Sequence, residues 1–186
     1  MSNDPPFIDE MSKPGMLHLE IIRSSIPRGN IDSVQIDELP EGCFVLREGD
    51  IAWKKYMEIF GEKMPLLSDS AIRYEGQPLM LIAAPKREQL DECRRAVHME
   101  YRTDYSLLAF EPYGEEQVAD TVVFEKGNVY LSTDSQYQII EAEYSTTPES
   151  HITRAPLGAL AYEEERQLVI HLPTHWPHHA RDTVAD

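Results

Sequence analysis

The architecture turns on the run Gly76-Gln77-Pro78-Leu79-Met80-Leu81-Ile82-Ala83-Ala84-Pro85-Lys86-Arg87-Glu88-Gln89-Leu90-Asp91-Glu92-Cys93-Arg94-Arg95-Ala96-Val97-His98-Met99-Glu100-Tyr101. Gly76-Gln77-Pro78 is a turn. Leu79 to Ala84 is apolar without interruption, which suits a strand covered on both faces rather than one with a wet side. Pro85 then opens a helix expected from Lys86 to about Val97, because Leu90, Cys93 and Val97 fall at i, i+3 and i+7 on one face. Arg87, Asp91, Arg94 and Arg95 fall largely elsewhere. His98 to Tyr101 returns as a strand. Strand, helix and strand in succession make the fold class α+β, mixed α/β.

Upstream, Met1 to Pro14 reads as a loose arm rich in Pro, Asp and Ser. Leu17, Leu19 and Ile21 alternate with His18 and Glu20, the pattern of a half-buried strand. Pro27 and Gly29 turn the chain before a second strand at Val34 and Ile36. Phe44-Val45-Leu46 is a third, with Pro40 and Gly42 ahead of it. Asp50 is placed to cap a helix running through Ala52, Tyr56, Ile59 and Phe60, which Gly61 would end. A short segment around Ile72 and Tyr74 leads back to the central stretch. Downstream, residues 109–120 read as a linker, with Pro112, Gly114 and a run of acids. Strands are expected at Val122-Val123-Phe124, Gln138 to Tyr144 and Gln167 to Leu172. Gly158 to Tyr162 is expected to pair with the last of these across Glu163-Glu164-Glu165-Arg166.

Composition sets outer bounds. The 186 residues are 41% hydrophobic and 27% charged, an ordinary globular balance. With 33 acidic against 17 basic residues the net charge is -16, which repels a phosphate backbone and argues against nucleic acid as a partner. The longest apolar run, Leu79 to Ala84, is too short to cross a bilayer, and the first ten residues hold no apolar signal core. The expected location is the cytoplasm. Two cysteines do not make a secreted disulfide framework, and Cys93 on the apolar stripe is expected as a reduced, buried thiol.

Chemistry-bearing patterns are few. The sequence carries no Gly-rich phosphate loop, no paired-cysteine motif and no nucleophile elbow. His171, His175, His178 and His179 cluster within nine residues. On a helix His175 and His179 would share a face with His178 adjacent, a geometry open to a divalent metal. Exposed imidazoles without fixed partners bind metals weakly, so solvated or interfacial histidines are the expectation and no metal is assigned. Asp32 and Asp37 read as solvated carboxylates, Trp53 and Trp176 as packing anchors, and Gln77 as part of a turn.

In order and spacing these segments resemble a family. Pro14-Gly15-Met16-Leu17-His18, Arg23-Ser24-Ser25 and Ile31 to Asp37 look like the opening of the xanthine dehydrogenase and aldehyde oxidase large subunits. Leu67 to Pro78, with Arg73-Tyr74-Glu75-Gly76-Gln77-Pro78 at its end, continues the similarity, as do the following strand, helix and His98-Met99-Glu100-Tyr101. The resemblance implies an α/β hammerhead domain over residues 15–108, after an arm at 1–14. Beyond the linker, residues 121–186 would be a mostly β segment like the start of the molybdopterin-binding region, on the strength of Glu141 to Tyr144 and His151 to Ala161.

Two departures bear on function. The family usually carries Met-Glu-Pro where this chain has Arg154-Ala155-Pro156. His175 occupies the position of a glutamine whose amide donates to a molybdenum oxygen ligand, and an imidazole has a different reach. The family's Gly-rich cofactor loop and general-base glutamate fall past Asp186, so no catalytic residue is assigned here. The implied function is a non-catalytic structural subunit or fragment of a split molybdenum hydroxylase, Met1 and Asp186 reading as the ends of a short subunit. Molybdopterin and its molybdenum would sit on a partner chain. The alternative is a stand-alone binding or assembly protein from the same family, monomeric or homo-oligomeric.

Overall fold

The structure, a computed structural model, describes residues 6–52, 54–59, 61–106, 122–127, 140–147, 149–153 and 155–185. Among these, ten strands and two helices follow in the order β1 (His18–Arg23), β2 (Gly29–Ile36), β3 (Phe44–Leu46), β4 (Tyr56–Ile59), β5 (Glu62–Pro65), β6 (Ala71–Ile72), β7 (Pro78–Ala84), α1 (Gln89–Ala96), β8 (Val97–Thr103), β9 (Leu160–Glu164), β10 (Gln167–His171) and α2 (Pro177–Ala185). Every described strand pair is antiparallel. The class is α+β, as the sequence implied.

β7 is the centre of the fold. It lies between β1 and β3 in one three-stranded sheet, and Leu79, Met80, Ile82, Ala83 and Ala84 are all at most 3% exposed. The unbroken apolar run therefore reads correctly as a strand covered on both sides. α1 packs over it through Leu90 and Cys93, which join Ile82 and Ala84 in one core cluster. A second sheet, β6-β2-β8, closes the other cluster, where Ile72, Leu79 and Met80 meet Ile31, Val34, Val97, Met99 and Tyr101. Gly29 is obligatory at its edge. Its φ is +154° and a Cβ there would stand 2.1 Å from the Arg102 carbonyl oxygen.

α1 is shorter than the periodicity predicts. Residues 86–88 form a tighter entry turn, with the Gln89 and Leu90 N–H groups donating to the carbonyls of Lys86 and Arg87. Val97 leaves the helix to pair with Ile36 at the start of β8, where its branched Cβ suits a strand.

Three expectations need correction. The helix expected from Asp50 to Gly61 is instead a short 3-10 turn, Glu48–Asp50, followed by the β4–β5 hairpin. Ile59 pairs with Glu62 across a two-residue connection whose second member, Gly61, has φ +82°. The glycine thus serves a tight turn rather than a helix end, and Tyr56 and Ile59 are as well suited to a strand. Trp53 and Phe60 lie outside the described residues. Second, β1 alternates as expected, but Leu19 and Ile21 are 56% and 39% exposed while His18, Glu20 and Ile22 take the half-buried positions. Glu20 is held beneath α1 by Arg94 at 2.5 Å. Third, residues 122–124 and 140–144 form no strand: Val122, Phe124, Ile140 and Tyr144 are more than 80% exposed, with no apolar surface over them to stabilise a ladder. The linker expected at 109–120, and Gln138, fall outside the described residues.

By contacts the chain groups into two compact units, Met1–Ser106 with Arg154–Asp186, and Leu107–Thr153. In the first unit β9 and β10 form the expected hairpin, Leu160 opposite His171. Its two turn residues, Glu165 and Arg166, both take left-handed φ, +49° and +63°.

Candidate functional site

Gln77 is the most tightly held polar side chain described, 2% exposed. Its Oε1 accepts from the Arg73 N–H at 2.7 Å and its Nε2 donates to the Ala71 carbonyl at 3.1 Å. Its own carbonyl accepts from the Ser24 N–H at 2.9 Å, and the Arg23 guanidinium donates to the Gly76 carbonyl at 2.9 Å. Gly76, at φ +83°, lets the turn fold tightly enough for these bonds. Gln77 is thus a staple joining β6, the β7 turn and the end of β1. Both ends of its amide are hydrogen-bonded to the backbone.

The four histidines are not brought together. His171, on β10, lies 3.1 Å through Nε2 from the Tyr162 hydroxyl and stacks on that ring at 5.7 Å. The two are diagonal neighbours across the hairpin. The Lys13 ammonium covers the Tyr162 ring at 3.8 Å. His175 is exposed in the bend before α2, not on the helix. Pro177 is the reason: it starts a helix readily but disfavours helical backbone in the residue before it, so the face predicted for His175 and His179 never forms. His178 is exposed in the first turn. His179 turns towards β4 and donates from Nε2 to the Glu58 carbonyl at 2.9 Å, with its ring 5.4 Å from that of Trp176. Among the described residues no group of three or more His, Cys, Asp or Glu is placed to hold a metal ion.

The carboxylates are similarly engaged. Asp37 contacts His98 Nε2 at 2.9 Å, and Asp32 lies 3.6 Å from the Arg102 guanidinium, both on exposed strand surface. Cys93 is fully buried, and burial, reinforced by a hydrogen bond with Cys43, pushes its thiol up to about 11. Such a thiol is a weak nucleophile at neutral pH.

An open groove of about 370 Å³ runs between Phe7, Ile8 and Met11 of the N-terminal segment and Ala155, Ile170 and Leu172. Its surface is as polar as it is apolar, and the Ala155 side chain is a methyl group where the resemblance expects a carboxylate. Among the described residues no buried side-chain polar atom is left without a partner, so none waits for a pterin or a metal oxygen. His175, exposed in its bend, is not built into any such cradle. Among the described residues, Ala155 and His175 do not supply the groups that the resemblance expects at a molybdopterin site, and no chemical step is assigned to them.

Comparison with known proteins accounts for this arrangement. Residues 4–105 match the family model described as aldehyde oxidase and xanthine dehydrogenase, a/b hammerhead domain. The chain belongs to the aldehyde oxidase and xanthine dehydrogenase family. The hammerhead is thus the unit built around β7, with Gln77 as its internal staple. Over 96% of its length the chain is 25% identical to the nicotinate dehydrogenase large molybdopterin subunit of Eubacterium barkeri, covering 45% of that protein. It is 27% identical to the carbon monoxide dehydrogenase large chain of Hydrogenophaga pseudoflava, over 51% of this chain and 13% of that one. Among solved structures, reconstituted CO dehydrogenase from Oligotropha carboxidovorans shares the fold over 56% of this chain and 14% of its own, with TM-score 0.50 and 24% identity. The hammerhead chain therefore spans less than half the length of these relatives.

The hammerhead also carries an outward apolar face that periodicity does not reveal. Leu19, Ala83 and Phe44 stand side by side across β1, β7 and β3, as do Ile21, Leu81 and Leu46. These rows share one face of the sheet, where the edge-strand side chains Leu19, Ile21 and Phe44 are 39–56% exposed while Ala83 between them is covered. The alternation in residues 17–21 was the available signal, but it does not say which side faces outward.

Proposed function

We propose that this chain is a non-catalytic structural part of a molybdenum hydroxylase of the xanthine dehydrogenase and aldehyde oxidase type, seated on the polypeptide that carries molybdopterin. The observation that carries this reading is the apolar face of the β1-β7-β3 sheet. Contiguous exposed apolar surface on a sheet is costly in water and marks a place where another protein packs. The relative named as a large molybdopterin subunit is more than twice as long as this chain, so it has further polypeptide of the kind that could cover such a face. In this reading the oxidation is carried by molybdopterin and molybdenum on that partner, and the chain contributes rigid surface. A net charge of -16 favours a protein partner over nucleic acid, and the cytoplasm is the compartment we assign. Among the described residues, no helix is long and apolar enough to cross a membrane.

The test is gentle affinity purification of the tagged full chain from its native host, followed by mass spectrometry and molybdenum analysis. Co-purification of a larger chain with molybdenum supports the proposal. A metal-free preparation without a partner overturns it in favour of a stand-alone binding or assembly protein. Ala155 and His175, replacing residues the family uses, favour that second reading.

A further inference from the structure

The two cysteines, fifty positions apart in sequence, meet under α1. β3 pairs with β7 so that Phe44 faces Ala83 and Val45 faces Ile82. Alternation along the strand then sets Cys43 on the same side as Val45, the side where Ile82 and Ala84 pack against Leu90 and Cys93. Cys43 packs against that cluster, which contains Cys93. Cys43 is half-buried whereas Cys93 is fully enclosed. One sulfur is therefore within reach of a small solute, and the other waits directly behind it.

We infer that Cys43 and Cys93 form a thiol pair that closes reversibly to a disulfide when the chain meets a peroxide. This inference is independent of the assembly proposed above. Cys43, as thiolate, attacks the O–O bond of hydrogen peroxide, forming a sulfenic acid and releasing hydroxide, which takes up a proton to give water. The Cys93 sulfur then attacks the Cys43 sulfur. The S–S bond forms, the S–O bond breaks, and the departing hydroxide takes the Cys93 proton as a second water. Two thiols lose two electrons in all, and one peroxide becomes two waters. Cys93's raised thiol fits the resolving role rather than the first attack.

Closure brings the two sulfurs of this cluster to about 2.05 Å. The turn before β3 places Cys43 for it. It is a tight turn closed by the Cys43 N–H donating to the Pro40 carbonyl at 3.0 Å. Gly42, at φ +77°, has no side chain to strike Pro85, whose Cγ lies 2.9 Å from where a Cβ would be. The turn is therefore packed closely against the residue that leads into α1.

The full chain, purified with both thiols reduced, is exposed to a small molar excess of hydrogen peroxide while folded. Thiols are then counted in denaturant and the digest is mapped without reduction. We expect loss of both thiols, a mass lower by about 2 Da, a Cys43–Cys93 cross-linked peptide, and a melting temperature that rises and returns on reduction. The Cys93→Ala chain should instead accumulate a Cys43 sulfenic acid that dimedone traps. Persistence of two free thiols, over-oxidation of Cys43 without a cross-link, or disulfides formed only between chains overturns the inference. The wild-type map decides this even where a variant fails to fold.

Discussion

At the residue scale, buried groups set the sharpest expectations. Gln77 supplies an acceptor to Arg73 and a donor to Ala71 from a site closed to water. Gln77→Leu removes both bonds and strands the Arg73 N–H, while the Ala71 carbonyl keeps the Ser68 hydroxyl at 2.9 Å, so it should cost about 1–3 kcal/mol in urea unfolding. Gly29→Ala forces a Cβ against the Arg102 carbonyl and should cost about 2 kcal/mol or more, read the same way. Cys93 sets a pH dependence. Its thiol is raised from 9.0 to about 11 by burial first and by Cys43 second. Above pH 9 the unfolded chain has lost that proton while the folded chain keeps it. The associated stability is therefore fully present below pH 9 and lost as pH rises through about 11, amounting to about 3 kcal/mol. Tyr101, also raised by burial, acts in the same direction. Urea midpoints measured from pH 8 to 11 should fall, and Cys93→Ala should flatten part of that fall.

At the scale of elements, local pattern was legible wherever one short segment carried its own decision. The continuous run of β7, the Leu90 and Cys93 part of the α1 stripe and the place of the β9–β10 turn read correctly, because strand and helix period are set by neighbours in sequence; Val97 and the pair Glu163-Glu164 belong instead to strands. The segment from Asp50 to Gly61 was not legible in this way. Its apolar spacing fits a helix, yet the pairing of Tyr56 with Pro65 and Ile59 with Glu62 makes a hairpin, and no single-strand pattern contains its partner. The β9–β10 turn holds Glu165 and Arg166 in left-handed backbone that side-chain-bearing residues disfavour. Replacing them with Asn and Gly should stabilise the hairpin by about 1 kcal/mol, visible as slower amide exchange in residues 160–171.

At the scale of the molecule, the β1-β7-β3 face is the surface that wants covering. Leu19→Lys with Ile21→Lys changes side chains that are already half in water, so the melting temperature should shift by only a few degrees. The same double change should abolish recovery of a molybdenum-bearing chain in the affinity experiment. Loss of the partner with the fold intact locates the interface on this face. Undiminished recovery would place it elsewhere.

Residue order alone settled the central strand–helix–strand, the C-terminal hairpin and, through ordered motifs from Pro14 to Tyr101, the family. These depend on residues a few positions apart. Three-dimensional packing settled the rest: Leu19 and Ile21 face outward, Gln77 bonds to backbone, His171 and His179 take separate partners while His175 and His178 are exposed, and Cys43 packs with Cys93. Each of those outcomes depends on residues tens of positions away, which periodicity cannot register. An alternating strand has two equivalent sides until another element, here α1 with Arg94 over Glu20, packs against one of them.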